Sequence, residues 1–244
     1  MASARSLGFW MAVRLASGSA GVEASVREHF EQTVDFTPGG IFTIENQNGG
    51  IDIAVGTEPS VRIEAEKEAK SEEDLRDIEI VVEGSGDRVS VRTVHHSRRG
   101  SGGVSYRILL PAEAQVQVST ANGAVSVRGI QGRVQAESVN GALEIEDIAG
   151  EIEAETTNGS IRASYQSLAG GRHRFETTNG AVKVYLPADA GGELDAETMN
   201  GSIDVEFPMN LTRTSRRHLQ GSFGSGTSNF EISTVNGSVT ILQN

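Results

Sequence analysis

The sequence predicts an all-β protein, specifically a β-solenoid built from two-strand coils of 18–21 residues with Asn-Gly corners. Three observations support this fold class. Asn-Gly dipeptides recur along the chain, apolar and polar residues alternate on both sides of each dipeptide, and glycines also mark the opposite corner of each unit. Repetition of one short unit is typical of solenoids, in which each unit buries its apolar face by stacking on its neighbours.

The Asn-Gly dipeptide defines the repeat. From Asn122 onward, successive asparagines lie 18, 18, 21, 21 and 36 residues apart. We expect each dipeptide to form a corner between two strands, because Asn tolerates the left-handed conformation and Gly adopts it freely. The predicted structural corners are Asn48, Asn122, Asn140, Asn158, Asn179, Asn200 and Asn236.

The residues around each corner predict two half-buried strands. Those three and five positions after the Asn are apolar, and so are those four and six positions before it, with His173 as the exception. The positions between them are mostly polar, which is the period-two pattern of a strand with one buried face. The residue two positions before the Asn, such as Thr156, lies on the same strand face as the buried apolar residues. We therefore expect its hydroxyl to hydrogen-bond to the backbone of the adjacent turn.

An antiparallel β meander or sandwich with Asn-Gly hairpins fits the same alternation. One observation favours it, because four glutamates would stack about 4.8 Å apart in a parallel array and like charges resist stacking. These are Glu137, Glu155, Glu176 and Glu197. Burial favours the solenoid, because a long meander needs another layer to cover it. The solenoid is therefore the prediction and the meander is the alternative.

The chain divides into three predicted parts. Residues 1–24 form a signal peptide or a disordered arm. Residues 25–110 form an N-terminal β region that caps the solenoid, and residues 111–244 form the regular repeats. Within the repeats, the basic and Gly/Ser-rich stretch 208–228 breaks the spacing and is predicted to be a loop excursion.

Residues 1–24 have the outline of a secretory signal. They carry Arg5, an apolar run over residues 7–13 and small residues around Ala20 and Ala24, either of which could precede a cleavage site. A secreted, periplasmic or cell-envelope location is therefore predicted. Arg14 interrupts the apolar stretch, so a cytoplasmic location with an uncleaved arm is the alternative. No run approaches the roughly 18 apolar residues that a transmembrane helix needs.

Composition excludes several classes of partner and site. The formal net charge of -12 argues against nucleic acid as a partner, because phosphate binding needs a basic surface. The chain has no cysteine, which excludes disulfides, thiolate metal sites and a cysteine nucleophile. The five histidines do not cluster in a pattern of metal ligands. We therefore predict no catalytic residue, no metal site and no cofactor.

The repeats resemble a known bacterial family. The unit "ETTNGSI", the strand "YRILLP" and the terminal stretch "RRHLQGSFGSGTSNFEISTVNGSVTIL" are similar to the "putative adhesin" repeat proteins of unknown function. The resemblance covers roughly residues 30–244. It implies a β-helix-like solenoid that is exported or attached to the cell envelope. The family has no catalytic motif to carry over to this chain.

Two groups of charged residues are candidates for an interaction surface. The acidic column Glu137, Glu155, Glu176 and Glu197 is expected to be a solvated outer face, although stacked carboxylates are also ligands that Ca²⁺ accepts. The basic group Arg213, Arg216 and Arg217 lies in the excursion and would suit an acidic partner or a neighbouring copy. An uncovered end strand would also allow homodimerisation.

The functional hypothesis is a non-enzymatic envelope-associated or secreted β-repeat protein. It would present an extended surface for adhesion or scaffolding to a protein or glycan at the cell surface. The first alternative is a sensory or regulatory module in envelope stress signalling. A more distant alternative is a polysaccharide-active enzyme, since carboxylate pairs can be drawn on such a face.

Overall fold

The computed structural model describes residues 25–97, 102–168 and 170–244, which form nineteen strands and one short helix. The predicted signal segment, residues 1–24, lies outside the described residues. The N-terminal part comprises β1 (Val26–Asn48), β2 (Ile51–Val55), β3 (Ser60–Ala69), α1 (Glu72–Arg76), β4 (Ile78–His95) and β5 (Gly102–Leu110).

The repeats supply the remaining strands. They are β6 (Gln115–Asn122), β7 (Val125–Arg128), β8 (Val134–Asn140), β9 (Leu143–Ile148), β10 (Ile152–Asn158), β11 (Ile161–Tyr165), β12 (Gly171–Asn179), β13 (Val182–Leu186), β14 (Gly192–Asn200) and β15 (Ile203–Val205). The chain ends with β16 (Met209–Thr214), β17 (His218–Phe223), β18 (Ser228–Asn236) and β19 (Val239–Gln243).

The coils form two sheets that enclose one apolar interior. Sheet I contains the strands that run into the Asn corners, namely the second half of β1 with β6, β8, β10, β12, β18 and β14. Sheet II contains the strands that leave the corners, namely β2, β7, β9, β11, β13, β19 and β15. All of these pairs are parallel. This confirms the β-solenoid and is incompatible with a meander of Asn-Gly hairpins.

The coils do not stack in the order of the sequence. Strand β18 lies between β12 and β14 in sheet I, and β19 lies between β13 and β15 in sheet II. The last coil of the chain, with its corner at Asn236, is therefore inserted between the coils of Asn179 and Asn200. The coil of Asn200 ends the row of corners.

Both ends of the solenoid carry antiparallel strands. At the N-terminal end, the first half of β1 pairs with β3, and β3 pairs with β5. At the other end, β17 pairs with β14, and β16 pairs with β17. The stretch 208–228, expected to be a loop excursion, thus contains a hairpin that extends sheet I. Its apolar anchor is Phe223, which is buried against Phe207 and Phe230.

The interior consists of the columns that the alternation predicts. All residues four and six positions before the corner Asn are buried, including His173. The residues three and five positions after it are also buried in six coils, whereas Ile203 and Val205 of the terminal coil are only half-buried. Each buried aliphatic or aromatic side chain contributes about 1.5–3 kcal/mol relative to exposure. Stacking therefore stabilises inner coils more than the terminal one.

The small polar residues two positions before the corner also point inward. Their hydroxyls bond the neighbouring coil rather than their own turn, as when Thr156 donates to the Gly141 carbonyl at 3.1 Å and Thr177 to the Gly159 carbonyl at 2.9 Å. Thr120 is the exception, since its hydroxyl has no hydrogen-bond partner among the described residues, and at this level Asn46 Nδ2 donates to the equivalent carbonyl of Gly49. These stacked hydroxyls thus link the corners of neighbouring coils by hydrogen bonds.

Corner glycines are required by close stacking rather than by backbone conformation. None of the seven corner asparagines has a positive φ, and Gly49 is the only corner glycine that does. The expectation that the dipeptide serves a left-handed turn is therefore wrong for most corners. A Cβ atom on Gly159 would instead overlap the carbonyl oxygen of Gly141 in the adjacent coil. The equivalent overlap recurs at the other corners.

The close approach predicts the effect of adding one methyl group. Gly159→Ala should lower the free energy of unfolding by about 2 kcal/mol or more, because a rigid backbone atom must move. Gly50→Ala is the matched control, since its Cβ would lie 3.6 Å from the Ala124 carbonyl oxygen, an ordinary contact. Urea denaturation of both variants checks this. Equal stability of the two variants would contradict steric selection of glycine.

Candidate functional site

The candidate acidic column lies on the outer face of sheet I, but it is not continuous. Glu137, Glu155 and Glu176 are direct neighbours in the parallel register of β8, β10 and β12. Glu197 is separated from Glu176 by Ser233, because β18 is inserted between their strands. The order of the coils therefore spaces out one of the four like charges.

Arginines neutralise two glutamates of this face, Glu176 on β12 and Glu231 on β18. Arg174 forms ion pairs with Glu176 at 2.7 Å and with Glu231 at 3.3 Å, and Arg172 pairs with Glu231 at 2.8 Å. The hydrogen bond from Arg172 and the charge of Arg174 hold the pKa of Glu231 below its usual value. The β12–β18 part of the face is thus a network of paired charges, whereas Glu137 and Glu155 form no ion pair within the described residues.

A groove of about 510 Å³ opens on sheet I where β14, β17 and β18 meet. Its lining includes four carboxylates, Glu193, Asp195, Glu197 and Glu231. Asp195 and Glu231 are register partners on adjacent strands. The polar side chains of Gln220, Ser222 and Asn229 complete much of the wall. This is a polar, acidic and open concave surface.

The hairpin β16–β17 fixes one wall of the groove. His218 Nε2 lies 2.9 Å from Asp195 Oδ1, and Gln220 Nε2 donates to Asp195 Oδ2 at 3.3 Å. Arg213 lies on β16 and donates to His218 Nδ1 at 3.3 Å. His218 therefore bridges the basic strand β16 and the acidic strand β14.

The basic candidates lie beside the acidic groove without neutralising it. Arg213, Arg216 and Arg217 are all exposed, with the last two in the turn between β16 and β17. None of the three forms an ion pair with a carboxylate of the described chain. The structure thus places Glu197 and the arginines around the same hairpin, and places Glu137 and Glu155 away from it on the flat part of the sheet.

Three of the groove carboxylates were not among the residues singled out from the sequence. Glu193, Asp195 and Glu231 have the outward parity, so the alternation does signal their exposure. Their convergence depends on the insertion of β18 and on the hairpin, and neither is encoded in the repeat pattern. The sequence pattern therefore predicts the acidic face of sheet I but not the groove.

No metal centre is apparent in the part of the chain that the structure describes, where no three His, Asp or Glu side chains are grouped to hold an ion. At the N-terminal end, His96 Nε2 pairs with Glu79 at 2.8 Å, while burial lowers the pKa of the neighbouring His95. No helix among the described residues is long and apolar enough to cross a membrane.

One titratable pair is enclosed in the core. His173 is 1% exposed, its Nδ1 lies 2.8 Å from the Tyr165 hydroxyl, and its ring stacks on Phe230 at 4.7 Å. Burial lowers the pKa of His173 to about 4, although the charge of Glu151 acts in the opposite direction. Burial also raises the pKa of Tyr165, and Glu151 adds to that shift. The pair is neutral at pH 7 and is closed to any substrate.

Comparisons with known proteins agree with this architecture. The profile of the family described as Toastrack DUF4097 matches residues 40–242. A crystal structure of a "putative cell adhesion protein" from Clostridium sporogenes covers 89% of this chain and 100% of that chain, with a TM-score of 0.51 and 14% identity. At this identity the likeness concerns the fold alone.

A second crystal structure is more distant. It is described as a "putative adhesin" from Bacteroides fragilis and covers 89% of this chain and 97% of that chain, with a TM-score of 0.43 and 10% identity. No curated protein matches the sequence.

The buried histidine predicts a loss of stability in acid. His173 titrates near pH 4 when folded and near 6.5 when unfolded, so the unfolded chain binds the proton first as the pH falls. The contribution of neutral His173 to the free energy of unfolding is complete above pH 6.5. It is lost as the pH falls from 6.5 to about 4, and the loss amounts to about 3 kcal/mol.

Urea denaturation between pH 7 and pH 4 measures this loss. The double variant His173→Phe/Tyr165→Phe removes the titrating pair and should lose less stability on acidification than the unmodified chain. The control His29→Gln changes an exposed histidine and leaves the His173–Tyr165 pair intact, so the acid sensitivity that this pair causes should remain. The same slope in all three proteins would contradict the assignment.

Proposed function

The chain belongs to the Toastrack DUF4097 family, and from that premise we propose that it is a non-enzymatic β-repeat protein that binds a partner through its outer surface. The role that we propose is adhesion or scaffolding at the cell envelope. The surface that we propose is the acidic groove of sheet I, and the ligand chemistry that fits it is a basic polypeptide segment of a partner protein.

The groove is the observation that carries this proposal. Four carboxylates line one concavity, and only Glu231 among them is paired with arginine while Asp195 contacts His218. Glu193 and Glu197 have no ion-pair partner within the described residues. An open groove with unpaired carboxylates attracts a cationic chain both through its field and through charge-assisted hydrogen bonds.

The rigidity of the floor supports a binding role. Strands β14 and β18 lie in a parallel, in-register sheet, so the backbone positions of Asp195 and Glu231 are fixed about 4.8 Å apart. Fixed acceptors lower the entropy lost when a flexible basic segment binds. The arrangement therefore suits recognition of an extended chain.

The electrostatics of the groove do not favour glycoside cleavage. A general acid in such an enzyme needs a carboxyl pKa raised above its usual value. The arginines shift the pKa of Glu231 in the opposite direction. This supports the proposal of a non-enzymatic protein over the polysaccharide-active alternative.

The envelope location is part of the proposal and has its own test. It is supported by the signal-like residues 1–24 and by the adhesion-related description of the Clostridium sporogenes structure. Cell fractionation followed by N-terminal sequencing of the protein should find it outside the cytosol and shortened near Ala20 or Ala24. A cytosolic protein with an intact Met1 would overturn export.

Binding of oligolysine tests the groove directly. Fluorescence anisotropy with a labelled oligolysine peptide should show saturable binding that weakens as salt rises. The double variant Glu193→Gln/Glu197→Gln should bind about tenfold more weakly, since each lost charge removes part of the attraction.

The matched control removes the same charge elsewhere. Glu58→Gln/Glu144→Gln changes two exposed glutamates outside the groove and should alter the affinity by less than about twofold. Equal weakening in both double variants would mean that only net charge matters and would overturn the groove as the site. No binding of oligolysine at low salt would overturn the basic partner.

A further inference from the structure

The seven Asn-Gly corners have the same sequence but not the same hydrogen bonds, and this difference has a chemical consequence. In an Asn-Gly dipeptide, the backbone nitrogen of Gly can attack the side-chain carbonyl carbon of Asn, because Gly offers no side chain to hinder it. We propose that Asn200 is a site of spontaneous deamidation and that the stack protects the other six corners. This inference does not depend on the proposed function.

The backbone nitrogen of the corner Gly, which is the attacking atom, is engaged in a hydrogen bond in six corners. Each of their glycine N–H groups donates to the backbone carbonyl of the corner Asn in the next coil, at distances from 2.8 Å for Gly49 to 3.2 Å for Gly237. A nitrogen held in this way must break its bond before it can turn toward the Asn side chain. Gly201 ends the row, and its N–H has no partner among the described residues.

The carbon under attack is held in the same six corners. In each of these corners the side-chain Oδ1 accepts a hydrogen bond from Nδ2 of the corner Asn in the next coil of the stack, which forms a ladder with bonds of 2.8–2.9 Å between side chains. Inner asparagines such as Asn158 are therefore held on both sides, as donor and as acceptor. Asn200 donates to Asn236 Oδ1, but within the described chain nothing donates to its own Oδ1.

Solvent exposure also distinguishes the Asn200–Gly201 corner from the other six. Gly201 is the only one of the seven corner glycines that is exposed, while the others are half-buried between coils. The preceding Met199 is also 58% exposed. Water can therefore reach the reacting atoms at Asn200.

The reaction balances with water as its only co-reactant. The Gly201 nitrogen forms a bond to Cγ of Asn200, the bond from Cγ to Nδ2 breaks, and the proton of the Gly nitrogen leaves with the ammonia. The product is a five-membered succinimide. Water then opens this ring at either carbonyl and yields aspartate or isoaspartate. Nothing is oxidised or reduced.

Deamidation would break the last rung of the ladder. An aspartate at position 200 has no amide donor, so its carboxylate would face Asn236 Oδ1 as a second acceptor. An isoaspartate would in addition lengthen the backbone by one carbon and shift β15 out of register with β19. The terminal coil should therefore loosen once the reaction has occurred.

Peptide mapping by mass spectrometry tests the proposal. The purified chain is incubated in mildly alkaline buffer, and the mass increase of one dalton is followed at each corner peptide. Asn200 should react at least about tenfold faster than any inner corner, since protected corners must first lose two hydrogen bonds. In denaturant, all seven corners should react at similar rates.

Two variants complete the test. Asn200→Ser should abolish the early mass increase of the intact protein and leave the slow inner reactions unchanged. Asn236→Ala removes the side-chain bond that holds Asn179 Oδ1 while keeping the backbone bond of Gly180, so Asn179 should react faster than in the unmodified chain. An inner corner that reacts as fast as Asn200 would overturn the proposal. So would an Asn200 that reacts only in denaturant.

Discussion

Parallel stacking in register is the constraint on which the rest of the structure depends. Every outward or inward side chain lies over its equivalents in the neighbouring coils, about 4.8 Å away. A column of identical residues is therefore favourable where the side chains hydrogen-bond to each other and unfavourable where they repel. The Asn amide has both donor and acceptor, so the corner column runs unbroken from Asn48 to Asn200. Carboxylates lack the donor, and serine interrupts their column at Ser119 and Ser233.

The same constraint explains how much of the fold could be predicted from the sequence. Period-two alternation around each Asn follows from burial alone, and it identified the interior columns, including the inward-facing hydroxyl of Thr156. Coil order could not be predicted, because equivalent repeats match any neighbour equally well. The reason for glycine was also misjudged, since a contact between Gly159 and Gly141 is invisible until the coils are placed.

For the candidate site, strand alternation predicts which residues face outward, whereas the shape of the groove depends on strands that are distant in sequence. Outward parity was sufficient to place Glu137, Glu155 and Glu176 on one face. The groove needed two further facts, the insertion of β18 beside β14 and the hairpin that carries His218. His173 broke the apolar pattern and was expected to pack in the interior. Its partner Tyr165 comes from the preceding coil, and a single repeat contains no signal for that pairing.

The inserted last coil also affects how the chain can be synthesised. Strands β14 and β15 leave the ribosome before β18 and β19, which separate them from the earlier coils. At about 5–20 residues per second, their place in the stack stays incomplete for a few seconds. During that time β12 and β13 lack their final neighbours β18 and β19, and a strand edge left unpaired can pair with another chain. Residues 228–243 close this gap, so the stack becomes complete only after their translation.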